Sequence, residues 1–334
     1  MKPSKIKIGL LAIVILPFLT ACPKPRENMA PPADTELQSS IDAAFATFVV
    51  TDIDMICSFS GEGDTSPDFY LLQSSEDPGK MEEPVFDVTN DQISTTYYND
   101  ARCIDGRVRN GTVMLFFSNT NPNAKYYRAY EYVGRIRLVD FKVDGWLIEN
   151  LDGNDCHVYN RLSSPSYDPS KTNISWLIDG AFKFTHTTDP SKNMVWKGKL
   201  TKTLTNTNDP TVFNPSKQNA INWSKAVVSY AGEATGYTSS NVPFKMEINA
   251  INPILRDFSC YPDAVGGIEN VSPLKIWKEE FHPFKAGIAT LTTSDRYPRQ
   301  IYFGNEGNTD LTSQCDNSGV VLIKGNSYPV DFKK

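Results

Sequence analysis

The sequence predicts a mainly β protein: long antiparallel meanders arranged as two related β modules, behind one short N-terminal helix. Three observations carry this expectation. Val242, Phe244, Met246 and Ile248 alternate with polar or small neighbours, the period of a half-buried strand, and Phe182, Phe184 and His186 do the same. Asp-Gly pairs at 144–145 and 179–180 lie between aromatic-rich runs, and Asn110-Gly111 opens the run Thr112–Phe117. Such pairs favour tight hairpins, because both central residues of the preferred turn take positive φ. Only residues 36–48 carry helical spacing: Leu37, Ile41, Ala44, Phe45 and Phe48 share a face, and Thr35 with Gln38 fits a capping box.

A chain of 334 residues has room for one large or two ordinary domains, and 40% hydrophobic against 22% charged residues supplies a packed core. The formal net charge is −6. Residues 1–21 hold Lys2, Lys5 and Lys7 and no acid, so the remainder has 30 basic against 39 acidic residues, or −9. That balance speaks against a nucleic-acid partner.

From the N-terminus, residues 1–21 read as a signal peptide: three lysines, then an apolar run from Ile8 to Leu19, too short to span a bilayer. Leu19-Thr20-Ala21-Cys22 is similar to the bacterial lipobox. That resemblance implies cleavage before Cys22, a diacylglycerol on its thiol and a third acyl chain on its amine. Several acyl chains exceed the two-signal requirement for stable anchoring. Residues 22–34 are then the lipidated Cys22 and a tether with prolines at 23, 25, 31 and 32. Twelve residues in extended polyproline form reach roughly 37 Å. Pro23 stands where lipoproteins retained at the inner membrane often carry Asp, so the resemblance points to the outer membrane, on its periplasmic or cell-surface side. The partner at this end is the lipid bilayer.

The first β module is expected over 35–164 and the second over 165–334, divided at the turn-rich SSPSYDPSK. A faint repeat supports the division. Cys57 follows Ile53 and Met55 at strand spacing, and Cys260 follows Leu255 and Phe258. Cys103 and Cys315 each lead to an acid, a glycine and a strand. This layout pairs Cys57 with Cys103 and Cys260 with Cys315 as disulfides, leaving Cys156 unpaired, with Cys103–Cys156 the competing bridge. The envelope is a compartment in which disulfides persist.

The stretch CIDGRVRNGTVMLFF (103–117), with Arg107, Arg109 and Gly111, resembles a strand of Bacteroidota cell-envelope lipoproteins of unassigned function. Residues 231–260 and CDNSGVVLIKG (315–325) resemble their closing half, although Tyr302-Phe303-Gly304 replaces the usual Asp-Tyr-Gly. The resemblance implies location and fold and carries no activity.

No His-Glu-x-x-His, Gly-x-Ser-x-Gly, phosphate loop or Cys-x-x-Cys is present. Ser272 and Lys275 match Ser-x-x-Lys, but Pro273 opposes the helix that motif needs, and its partner motifs are absent. His157, His186 and His282 lack metal-ligand spacing. Asp152, Asn154 and Asp155, and separately Asn305, Glu306, Asn308 and Asp310, offer oxygens to calcium but without EF-hand spacing; the ordinary use of such residues is in turns. No cofactor is expected beyond that. Among the tyrosines, Tyr126, Tyr130 and Tyr132 share strand parity and are candidate contacts for a partner protein or glycan if exposed, and sheet packing if buried.

The expectation is a non-catalytic, lipid-anchored envelope protein. It would act as a binding or scaffolding component at the outer membrane, in a protein complex or on a glycan surface. The alternative is a carrier of lipid or another hydrophobic ligand on a curved β-sheet, and a hydrolase stands behind both.

Overall fold

A computed structural model of the chain describes residues 34–62, 80–81, 84–87, 90–103, 107–117, 127–162, 173–214, 220–258, 284–304 and 318–332. Cys22, Tyr126, Cys260, Cys315 and the expected calcium loop at 305–310 lie outside them. By contacts the chain divides into residues 1–33 and a compact unit of residues 34–334. The latter is mainly β, and among its described residues α1 (Gln38–Glu62) is the one α-helix.

The strands are β1 (Lys80–Met81), β2 (Val85–Asp87), β3 (Gln92–Arg102), β4 (Val108–Phe117), β5 (Val133–Val143), β6 (Trp146–Asn150), β7 (Cys156–Asn160), β8 (Ser175–His186) and β9 (Asn193–Leu204). There follow β10 (Phe213–Asn214), β11 (Ala220–Ile221), β12 (Val227–Tyr237), β13 (Pro243–Ile248), β14 (Ile254–Asp257), β15 (Gly287–Thr293), β16 (Arg299–Phe303), β17 (Ser318–Ile323) and β18 (Asn326–Asp331). All but β10 and β11 belong to one 16-stranded sheet whose described pairs are antiparallel and whose path follows chain order. The two expected modules, 35–164 and 165–334, are therefore joined in one sheet. β7 and β6, before the boundary, pair directly with β8 after it.

The helix differs most from expectation. It runs 25 residues, through Cys57, where a strand was expected. The β-branched run Val49, Val50, Thr51 and Ile53 masks helix propensity. The amphipathic stripe also fades after Phe48, because every residue from Ala43 to Ser60 is buried. A helix buried all round has no polar face to give it away. By length and composition α1 could cross a membrane, yet here it is packed within its own sheet. It meets β3, β4, β5, β9 and β13, so the sheet curls around it. The expected capping box is also replaced: the Glu36 carboxylate, not Thr35, accepts the Ser39 N–H at 2.7 Å.

Turn chemistry divides the three expected hairpins. Asp144-Gly145 forms the β5–β6 turn, with φ of 48° and 81°. Asn110-Gly111 instead lies inside β4, where Gly111 (φ 88°) sits in a bulge against β5. Asp179-Gly180 lies inside β8, where a Cβ on Gly180 would come within 2.6 Å of the Cys156 sulfur. That glycine serves close packing, not a turn.

One construction occurs twice. β6 and β7 together cover β8, but the loop 151–155 interrupts them. Likewise β13 and β14 both pair with β12, interrupted by residues 249–253.

Candidate binding site

The interior is organised by two carboxylates two residues apart on α1, and hence on opposite sides of it. Asp52 accepts from Arg109 of β4 at 2.6 Å and from Arg256 of β14 at 3.3 Å, with all three side chains at most 1% exposed. Asp54 accepts from Lys202 of β9 at 2.7 Å and from the Tyr127 hydroxyl. The Lys202 ammonium also donates to Ser58 Oγ at 2.7 Å. It stands 4.5, 4.7 and 5.0 Å from the ring centres of Tyr127, Trp176 and Trp223, a three-sided aromatic box. Burial lowers the Lys202 pKa, opposed by Asp54.

These charges are structural, since water cannot reach them. Sequence reasoning missed them, although a signal existed. Lys202 shares strand parity with Leu200 and Leu204, and Arg256 with Ile254 and Phe258, so each cation points where apolar neighbours point.

The same compartment holds the thiols. Cys57 is buried in α1 and free, so the expected Cys57–Cys103 bridge is not formed. The reason is that Cys57 belongs to a core helix, not to a strand beside Cys103. The Cys103 thiol donates to the Ala101 carbonyl at 3.7 Å. Cys156 is buried and free, so the competing Cys103–Cys156 bridge is not formed either. Burial, reinforced by Asp54, pushes the Cys57 and Cys156 thiols upward, away from the thiolate a nucleophile requires.

Of the tyrosine row, Tyr132 does not belong to an exposed shelf. Tyr132 is fully buried, 5.2 Å from the Tyr127 ring and 6.0 Å from Phe117, while Tyr130 is half-buried. Tyr132 therefore packs the core, and the expected contact surface is withdrawn at that residue.

Among the described residues a groove opens at each strand interruption. At the first, the charged side chains of Asp155, Asp179, Lys197, Lys199 and Glu233 border, with His157, a trough of about 500 Å³. Its charges are mostly consumed: Asp155 accepts two hydrogen bonds from Arg137 at 2.8 and 3.0 Å, and Lys199 meets Asp179 at 2.8 Å. The Asp155 oxygens expected for calcium thus face a guanidinium. Among the described residues no group of three His, Cys, Asp or Glu side chains could hold a metal ion.

The second groove, about 560 Å³, opens between β12, β14, β15 and β16. Val227, Leu255, Ile288 and Tyr302 form its apolar walls, and Ile251 stands beside it 82% exposed. The ion pair Lys285–Asp257 (2.7 Å) lies in its lining. Apolar walls with a few converging polar groups are the usual form of a ligand site, and this groove is the candidate. Compared with protein-family models, with curated proteins and with solved structures, the chain matches none.

Proposed function

We propose that this is a lipid-anchored envelope protein, held at the outer membrane through acylated Cys22, that works by binding and not by catalysis. The observation that carries the reading is an agreement of boundaries. The lipobox ends at Cys22, the proline-rich stretch runs on to residue 34, and the compact unit begins at Asp34. A signal, a lipid, a spacer and a body follow one another without remainder.

Binding is favoured over catalysis by what happens to the reactive groups. Asp52 and Asp54 are consumed by cations, and the thiols of Cys57 and Cys156 are buried and protonated. The partner, a protein complex or a glycan surface, would meet the groove of β12, β14, β15 and β16 on the outside of the sheet. A lipid carrier would need the inside, which α1 fills.

The test uses cells making the full chain with a labelled fatty acid. Wild-type protein should carry label and sediment with membranes, and Cys22→Ala should lose both. Mild-detergent purification should recover a partner that Ile251→Asp releases without lowering the melting temperature. Label retained on Cys22→Ala would overturn the anchor, and a partner retained on Ile251→Asp would move the binding site elsewhere.

A further inference from the structure

The place where the chain enters the body is fixed with unusual care. Arg299, fully buried in β16, donates to Asp34 Oδ2 at 3.1 Å, to the Glu36 carbonyl at 2.6 Å and to Glu36 Oε2 at 3.0 Å. Arg296 adds a second guanidinium, 3.7 Å from both Asp34 and Glu36. One turn into α1, Asp42 accepts from the Ser239 N–H and hydroxyl at 2.8 and 2.6 Å. The first described residues are thus tied to the β15–β16 and β12–β13 turns.

Those turns are neighbours. The register places Phe244 opposite Thr293, Leu291 opposite Arg299, and Arg299 opposite Ile323. Turns 238–242, 294–298 and 324–325 therefore lie side by side along one end of the sheet. This rim presents Tyr237 (47% exposed) and Tyr297 (39%), with the Lys324 ammonium 3.2 Å from the Tyr297 ring centre. Its charges pair off: Asp34, Glu36 and Asp295 stand against Arg296, Arg299 and Lys324, while the buried Asp42 is held by Ser239. Tyrosine with an adjacent lysine suits a bilayer interface, where the ring meets the acyl boundary and the polar ends stay wet.

We infer that this rim is the membrane-facing end of the body and that Tyr297 and Lys324 contact the phospholipid headgroup layer. The inference rests on the proposed anchor at Cys22 and on where the outside chain ends. Eleven residues, Pro23 to Ala33, separate Cys22 from the clamp, and in extended polyproline form they reach about 34 Å at most. A body clamped at the exit point cannot easily turn its far end to the bilayer. The groove at β12, β14, β15 and β16 is then presented away from the lipid, because Val227 and Leu255 lie toward the helix C-terminus, near Phe258 and Phe59. Because the rim carries balanced charge, contact should be equal on zwitterionic and anionic bilayers.

The experiment places the purified, acylated full chain in phosphatidylcholine vesicles holding a photoreactive phospholipid, and maps the adducts after illumination. Adducts should concentrate on peptides covering 294–298 and 324–325, at least tenfold over those covering 205–212. Tyr297→Ser with Lys324→Ser should reduce rim adducts several-fold at an unchanged melting temperature. Acylated protein that labels evenly, or mainly at 205–212, overturns the orientation alone. So does an unchanged adduct yield in the double variant. A mass without acyl chains on Cys22 overturns the anchor and the orientation with it.

Discussion

Asp52 and Asp54 are chemically identical and two positions apart, yet the chain treats them differently. Asp52 faces two arginines, Arg109 from the first half of the chain and Arg256 from the second, so it joins strands 147 residues apart in sequence. Asp54 faces one lysine, one phenol and an aromatic box. Guanidinium is planar and offers several donors, so two can share one carboxylate, whereas an ammonium is a compact charge that rings can surround. The Asp52 site therefore works as a junction and the Asp54 site as packing with a charge inside it. The Asp54 compartment also gathers most of the buried groups whose pKa is shifted.

The first test removes each carboxylate's counterpart. Asp52→Ala leaves two guanidiniums buried, and breaking one buried pair already costs about 3–5 kcal/mol. This variant should show the largest loss in urea unfolding, at or above the upper end of that range. Lys202→Met should cost less, toward about 3 kcal/mol, because the aromatic box accepts a thioether and Tyr127 still donates to Asp54. Adding Asp54→Asn to Lys202→Met should return most of that loss. If Lys202→Met proved the costlier of the two, the distinction between junction and packing would fail.

Alkali should separate the sites next. Burial raises the pKa of Cys57, Cys156, Tyr127, Tyr132 and Tyr230, with Asp54 adding to each. For these groups the folded state keeps a proton that the unfolded chain releases. Their stability contribution is whole below the unfolded pKa and declines as pH rises above it. A thiol, ordinarily near pKa 8.5, then costs about 1.4 kcal/mol at pH 9.5, or about 3 kcal/mol for the two. Lys202 has the opposite sign: its lowered pKa means the unfolded chain holds the extra proton, so its share rises with pH toward the ordinary lysine value. Urea midpoints at pH 7.5 and 9.5 should fall in wild type and fall less in Cys57→Ala with Cys156→Ala. Equal slopes in the two proteins would remove the thiols from the account.

How much of this was legible depends on what a residue's period reveals. Phe244, Met246 and Ile248 alternate because β13 has one wet face, and the sequence pattern and the sheet agree there. The start of α1 was legible for the same reason: its first turns still have a wetter side. Past Phe48 the helix is surrounded, and residues 53, 55 and 57 can equally be counted at strand spacing. The Cys57–Cys103 pairing built on that count fell with it, while Cys260 and Cys315 lie outside the described residues. Asp179-Gly180 failed because a local dipeptide cannot report that Cys156 lies across the strand. The Asp52 and Asp54 sites were partly readable, as charges at inward parity, but their partners lie 57 to 204 residues away.

The smallest expected effect is the most discriminating for the Asp54 compartment. The Tyr132 hydroxyl is buried and makes no hydrogen bond among the described residues, close to Gly134, where a Cβ would meet it at 2.8 Å. Its ring, in contrast, packs against Tyr127 and Phe117. An unbonded buried hydroxyl contributes desolvation cost and no bond, so Tyr132→Phe should be neutral or should raise stability by up to about 1 kcal/mol. Tyr132→Ala removes the ring and should cost about 3–5 kcal/mol. The pair of variants isolates the oxygen from the ring. A loss above about 1 kcal/mol in Tyr132→Phe would mean that the hydroxyl is bonded after all and that the compartment around Asp54 holds a wider polar network than Lys202, Ser58 and Tyr127.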